Sequence, residues 1–385
     1  MQAASIQSRI EIAHSEEEAL LTLSAAELLG KRWDFGDVRR ALTSTTGYDA
    51  SLYQQMAELG WLSLATPAAY GGAGMPVGAL ASLAEPMGKQ LLGSPFLATT
   101  LASQLLLGAG SEAQKQHWLP KLGSGAAIGS IALSEPGESY AMLPTCVRLA
   151  TSGTGFTLSG TKCFVLDAQH ADLVLVSALH DGRPVVVLLE ASALAGRIRR
   201  ETLIDETRRS ARIDLSGLLI GRDALLPAAD ATVAIEHTLR VAWLLLSAEM
   251  AGGAEGVLQL TLDYLKTRKQ FGKFIGGYQA LKHPMVEIMC AIEQGRSLLY
   301  HAATVFEQAS VEREIALRMA KAQLGETYTH AADRSIQFHG AVGFTYECHA
   351  QLFFRRAQWA QHAFGDALHH RKKLGELMLR DASAF

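Results

Sequence analysis

The segment RKQFGKFIGGYQALKH, residues 268–283, sets an arginine three residues before a phenylalanine, ahead of a glycine pair and Gln279. At the end of a helix Arg268 and Phe271 would share a face, a cation beside an aromatic plane. A guanidinium fork suits a pyrophosphate, and an aromatic ring suits packing against adenine or ribose. Gly272, Gly276 and Gly277 are expected to break that helix before Gln279. GxGxxG, Walker A, GxSxG and HExxH strings are all absent, which removes the usual nicotinamide, NTPase, α/β-hydrolase and zinc-protease readings. Cys146, Cys163, Cys290 and Cys348 show no CxxC or Cys/His ligand spacing, so reduced thiols are expected and neither a disulfide framework nor a metal site.

The chain that must position these groups has 385 residues, with 35 Lys and Arg against 38 Asp and Glu. A net charge of −3 argues against nucleic acid as a partner. Apolar residues at 49% and charged residues at 19% describe a globular protein with material for two or three domains. The longest apolar stretch, 241–260, carries Glu249, Glu255 and several glycines, so no membrane span is expected. The first twenty residues turn acidic where a signal peptide needs an apolar run, which points to a cytoplasmic protein.

Periodicity divides the chain into three. Residues 11–122 read as helices with apolar residues at three- and four-residue intervals, punctuated by Gly71-Gly72, Gly74, Pro76 and Pro95. From 128 to 220 short runs rich in β-formers, such as ADLVLVSAL and PVVVLLE, predict a compact barrel or sandwich. Helical spacing returns over 231–268, 278–307, 311–339 and 350–379, which suits a four-helix bundle. The basic cluster HHRKK at 369–373 falls near the C-terminus of the last of these and reads as a solvated face. The expected class is α+β, with an N-terminal helical domain (1–125), a middle β-barrel domain (126–229) and a C-terminal four-helix bundle (230–385).

Five strings, GWLSLATPAAYGG (60–72), ALSEPGES (132–139), LSGTKCFV (158–165), RKQFGKFIGGYQALKH (268–283) and IQFHGAVGFTYE (336–347), lie in this α–β–α order. Together they resemble the acyl-CoA dehydrogenase family over nearly the whole chain. The resemblance implies FAD held between the β-domain and the bundle, an acyl-CoA thioester in the same cleft, a tetramer built through the bundle, and an acceptor of the electron-transfer flavoprotein type. In the family's reaction a carboxylate removes the α-proton while the β-hydrogen leaves as hydride to the flavin, so the base must reach that proton. Residues matching Arg268, Phe271 and Gln279 contact the ADP half of FAD bound mainly by a neighbouring subunit. The family's QxxGGxG corresponds to 337–343, where Gln337 and Gly340 match and Ala341 replaces a glycine. Leu133 and Ser134 match flavin-facing residues, whereas Glu135 and His339 read as structural.

Two departures bear on function. Where the family has Trp-Ile-Thr beside the flavin ring, this chain has Phe164, Val165 and Leu166, and Leu166 has no hydrogen-bond donor. The usual base lies nine residues after the arginine matched by Arg355, which here is Phe364; the alternative base, 26 residues before Arg268, is Ala242, followed by Trp243. Glu249 and Asp366 are the nearest acids, and Glu249 lies about 10 Å along a helix from position 242. The intact RKQFG, the empty base positions and the FGDA-HHR ending resemble the non-catalytic subunit of heterotetrameric bacterial acyl-CoA dehydrogenases, several of which act on steroid side-chain thioesters. A paralogous subunit in an α2β2 assembly is the partner this implies. The alternatives are a homotetramer with a base relocated to Glu249 or Asp366, a structural homologue that binds neither flavin nor CoA, and a related flavin monooxygenase.

Overall fold

The computed structural model describes residues 15–137, 140, 143–228 and 230–380. The start of the chain, on which the expectation of no signal peptide rested, and Glu138 and Ser139 of ALSEPGES lie outside the described residues. In chain order the helices are α1 (Glu16–Arg32), α2 (Phe35–Thr43), α3 (Ala50–Glu58), α4 (Ala81–Lys89), α5 (Phe96–Ala109) and α6 (Glu112–Gly123) before the strands. After them come α7 (Thr232–Thr267), α8 (Gln279–Thr304), α9 (Val311–His339), α10 (Ala350–His362) and α11 (Ala367–Arg380). The strands are β1 (Gly129–Ala132), β2 (Arg148–Ser152), β3 (Gly155–Ser159), β4 (Thr161–Leu166), β5 (Leu173–His180) and β6 (Arg183–Glu190). They continue with β7 (Ile198–Glu201), β8 (Ser210–Asp214), β9 (Leu218–Ile220), and the pair β10 (Lys269–Gln270) and β11 (Lys273–Phe274).

One compact unit gathers Met1–Asp37, Pro76–Leu92 and Trp243–Phe385. In it α1 opens on a capping box in which Ser15 and Glu18 satisfy each other's backbone N–H groups. Helices α4 and α7 meet backbone to backbone, because a Cβ on Gly88 would collide with the Glu249 carbonyl and one on Gly252 with that of Glu85. By length and composition α7 could cross a membrane, yet 89% of its apolar window is buried inside the protein, as befits a core helix.

The other unit gathers Val38–Met75 and Gly93–Ala242. Its larger sheet runs β1-β5-β2-β3-β9 with β6 paired to β5, and its smaller one runs β4-β8-β7. Strands β5 and β6 are buried over most of their length, so they read as continuous apolar runs rather than as alternation. Helix α5, apolar nearly all round and almost wholly buried, packs on β1.

Three local expectations need correction. Within the stretch 11–122 that reads as helices, the apolar-periodic segment SLYQQMAELGWLSLA (51–65) is not one helix: α3 stops at Glu58, and Gly60 at φ 77° turns the chain into a 3-10 turn at Trp61–Ser63. The segment expected as one helix over 350–379 is two, because Phe364 (φ 56°) and Gly365 (φ 112°) leave right-handed helical space. The HHRKK cluster therefore lies in the first half of α11, where His370 is buried rather than solvated. Burial holds that imidazole far below its usual pKa, and Lys321 and Arg318 add to the effect.

Candidate active site

Arg268 is the first residue past α7, its N–H bonded to the Tyr264 carbonyl. Four residues then pair as the β10–β11 hairpin, joined by Phe271 and Gly272. Both tip residues have positive φ, 52° and 81°, as the type I′ turn of a two-residue hairpin requires. Arg268 and Phe271 thus share no helical face; the helix has already ended, and the hairpin carries the ring out to 93% exposure. Gln279 opens α8 after the 3-10 turn Ile275–Gly277. Neither the Arg268 guanidinium nor the Gln279 amide makes a hydrogen bond or ion pair with any described residue. A bulky residue at positive φ costs about 1–2 kcal/mol. Exposed and strained, three residues along the chain from an unspent cation, Phe271 has the marks of a ligand-binding tip rather than of a packing residue.

The second glycine-rich string ends α9. Gln337 is exposed, and Gly340 takes φ 65° and ψ −145°, a conformation open only to glycine. His339 is buried beneath this turn, with Nδ1 2.8 Å from the Ser335 carbonyl and its ring stacked on Tyr264 at 4.4 Å. Tyr264 is also the residue that receives Arg268, so the hairpin and the Gly340 turn rest on one aromatic pair.

At the two base positions the structure places no carboxylate. Ala242 is wholly buried on α7. Its neighbour Trp243 donates its indole N–H to the Phe364 carbonyl at 2.8 Å. The Arg318 guanidinium lies 4.3 Å from the centre of the Trp243 ring, and the His370 ring meets it edge to face at 5.1 Å. Below the turn the buried ammonium of Lys321 donates to the carbonyls of Ala360, at 3.0 Å, Gln361, at 3.2 Å, and Gly365, at 3.0 Å. A cation at the last carbonyls of α10 closes that helix and fixes the left-handed turn at Phe364. Burial lowers the Lys321 pKa to about 7 against the opposing pull of Asp366.

Both remaining acids are engaged. Glu249 is buried, with a carboxylate oxygen 3.7 Å from Arg356, whose guanidinium also donates to the Leu92 carbonyl at 3.3 Å. Asp366 caps α11, accepting the His369 N–H at 2.8 Å.

Leu133, Ser134 and Phe164 belong to the other unit. Leu133 is buried, and its carbonyl accepts from Lys162 at 2.9 Å. The Lys162 ammonium, wholly buried, also bonds Glu135 at 2.7 Å and the Ser177 hydroxyl at 2.9 Å. Glu135 in turn accepts from the backbone N–H groups of Thr145, Cys146 and Val147. Burial would raise the Glu135 pKa, but Lys162 and these N–H groups hold it below the usual carboxylate range. The pair pins the Leu133–Ser134 segment to β4, with the Cys163 N–H bonding the Ser134 carbonyl at 3.0 Å. A bulge between Lys162 and Val165 then turns Phe164 outward, at φ 54° and 62% exposure, with its N–H on Glu201. Leu166 is buried.

Sequence reasoning missed Lys162 and Lys321. A lysine reads as a surface residue, and the available signal was the apolar run beside each, CFVL after Lys162 and small or apolar Ala320, Ala322 and Leu324 around Lys321.

The residues fit one half of a flavin dinucleotide better than the other. Arg268, Phe271, Gln279 and the Gly340 turn offer an adenosine diphosphate an unspent cation, an open ring and a turn with open space where a side chain would stand. Beside Phe164 the Leu166 side chain has no donor for an isoalloxazine edge. All four cysteines are free, and no group of three metal-ligating side chains occurs among the described residues.

Comparison with known proteins agrees in both halves of the chain. The family model described as acyl-CoA dehydrogenase, N-terminal domain, matches residues 15–126, and that for the C-terminal domain matches 232–379. The acyl-CoA dehydrogenase IpdE2 of Mycobacterium tuberculosis is 31% identical over 355 residues, 89% of this chain and 91% of that protein. A solved variant of the Tcur3481-Tcur3483 steroid ACAD superposes with a TM-score of 0.86 at 28% identity, over 96% of this chain and 99% of that one. The ChsE4-ChsE5 complex from M. tuberculosis shows the same fold, with a TM-score of 0.86 at 24% identity, over 96% of this chain and 98% of that one. The chain belongs to the acyl-CoA dehydrogenase family, flavoprotein oxidoreductases that act on CH–CH groups.

Proposed function

We propose that this chain is the base-lacking subunit of a heteromeric acyl-CoA dehydrogenase that desaturates a bulky, steroid side-chain type of CoA thioester together with a base-bearing paralogue. The observation that carries this reading is the hydrogen bond from Trp243 to Phe364, which commits the neighbour of one base position and the backbone of the other to structure. The engagement of Glu249 by Arg356 and of Asp366 by the α11 terminus speaks against a relocated base. The likeness to a steroid ACAD and to a two-protein complex supports the heteromeric form and the substrate class.

FAD, when bound, supplies the acceptor for the β-hydrogen. This chain's part is binding and orientation. Arg268 pairs with the pyrophosphate, Phe271 packs against the adenosine, Gln279 donates or accepts beside them, and Gln337 and the Gly340 turn bring backbone close. In the assembly these groups reach a cofactor held mainly by the partner, while the partner's carboxylate takes the α-proton. Leu133, Ser134 and Phe164 line what remains of this chain's own ring pocket. The three-domain division at 125/126 and 229/230 belongs to the same reading, supported by family models that end at 126 and resume at 232. So do a cytoplasmic location and an acceptor of the electron-transfer flavoprotein type.

The test is flavin content and native mass of the chain produced alone and produced with a base-bearing paralogue from its own genome. Little FAD alone and about half an FAD per chain in a mixed tetramer is the expected result. A lone homotetramer with nearly one FAD per chain would overturn the proposal.

A further inference from the structure

A surface cavity of about 610 Å3 lies wholly within the β-rich unit, between β3, the β5–β6 hairpin and residues 222–228. It shares no residue with the groups discussed above. Its chemistry is that of an anion with a planar group attached. Arg183 and Arg222 line it with His180, and against these stand Asp181, also in the lining, and Asp230, which feels the charge of Arg183. The Arg183 guanidinium makes no hydrogen bond or ion pair with any described residue. Arg222 spends only its Nε, on the Thr154 carbonyl at 3.1 Å, and its guanidinium lies 6.0 Å from the centre of the Phe156 ring. The His180 ring meets Phe156 edge to face at 5.4 Å, with Nδ1 2.9 Å from the Leu149 carbonyl. A guanidinium and an imidazole are thus held over one aromatic ring, while Val185, Leu225 and Leu226 form an apolar wall.

The walls are fixed before any ligand arrives. His180 and Arg183 are cross-strand partners flanking a two-residue turn, Asp181 at φ 50° and Gly182 at φ 77°. The opposite wall is tied to β6 by the Leu226 N–H on the Val186 carbonyl at 2.9 Å and by a bridge between Val187 and Leu225. The volume falls in the range of small-molecule pockets that combine apolar walls with a few convergent polar groups.

We infer that this cavity is a nucleoside phosphate site, in which Arg183 and Arg222 take phosphate oxygens and the base lies against the His180–Arg222 face and the apolar wall. Guanidinium forks match phosphate geometry, and their planes stack on heteroaromatic rings. The inference stands independently of the catalytic reading.

The experiment is calorimetric titration of the purified full chain with adenosine 3′,5′-bisphosphate, with ADP and with inorganic phosphate, for the natural protein, Arg183→Ala and the double variant Arg183→Ala/Arg222→Ala. Either nucleotide should bind, and the double variant should weaken it at least tenfold with an unchanged melting temperature, both arginines being exposed. Tighter binding of the 3′-phosphorylated nucleotide would identify the end of coenzyme A as the source, and tighter binding of ADP a free adenine nucleotide. Absence of nucleotide binding, an affinity unaltered in the double variant, or inorganic phosphate binding as tightly as the nucleotides would each refute the site.

Discussion

The indole nitrogen of Trp243 stands 2.8 Å from the carbonyl oxygen of Phe364, and the two residues are 121 apart in the chain. One adjoins the first position where a family base can sit, and the other occupies the second. The absence of a base is therefore tied into the packing of α7, α9 and α11 through Arg318 and His370. Replacing Trp243 by Phe keeps a ring but leaves the carbonyl without its donor, which should cost about 1–3 kcal/mol in urea unfolding. An unchanged midpoint would show that water replaces the indole without loss.

Lys162 and Glu135 form a pair with no exposure to solvent. Lys162→Met should destabilise the protein by about 3–5 kcal/mol, because it strands a buried carboxylate. The double change Lys162→Met/Glu135→Leu should recover part of that loss. Thermal unfolding of the two variants side by side reads both outcomes.

Asp167 is the clearest pH-sensitive group. Burial raises its pKa from 3.8 to about 7, against the lowering pull of Arg208 and Arg209. Between those values the unfolded chain has lost a proton that the folded chain keeps, so this group's contribution to stability falls as pH rises from about 4 to about 7. Asp167→Asn should accordingly show no gain near pH 4 and a gain that grows to a plateau above pH 7. A gain of equal size at both ends of the range would exclude titration of Asp167 as its cause.

Phe271 separates binding from stability. Phe271→Gly removes the penalty of a side chain at positive φ, so the hairpin should be no less stable, and up to about 1 kcal/mol more so. Flavin content of the mixed assembly should nevertheless fall. Retention of full flavin by this variant would take Phe271 out of the binding surface.

Much of the architecture was legible because it rests on periodicity. The α–β–α order follows from apolar spacing, and α7, α8 and α9 end within a few residues of where that spacing fades. What escaped was decided by single contacts. Nothing local announces that Phe364 adopts left-handed backbone; the turn exists because Lys321, more than forty residues earlier, supplies an ammonium to three carbonyls. RKQFGKF reads as a frayed helix end, and only the positive φ of both Phe271 and Gly272 makes it a hairpin. Arg268 and Gln279 could be singled out by residue type, but that their side chains make no hydrogen bond or ion pair with any described residue is visible only in three dimensions.

The hairpin tip also bears on how the chain behaves in a test tube. Phe271 is open to water at 93% and Phe274 at 47%, on a projection of a few residues. Ring surface of this kind is a seed for self-association. Where nothing covers the tip, these two rings should add to the chain's tendency to self-associate without touching the large core. Light scattering should then improve on shielding the hairpin even though the melting temperature stays the same.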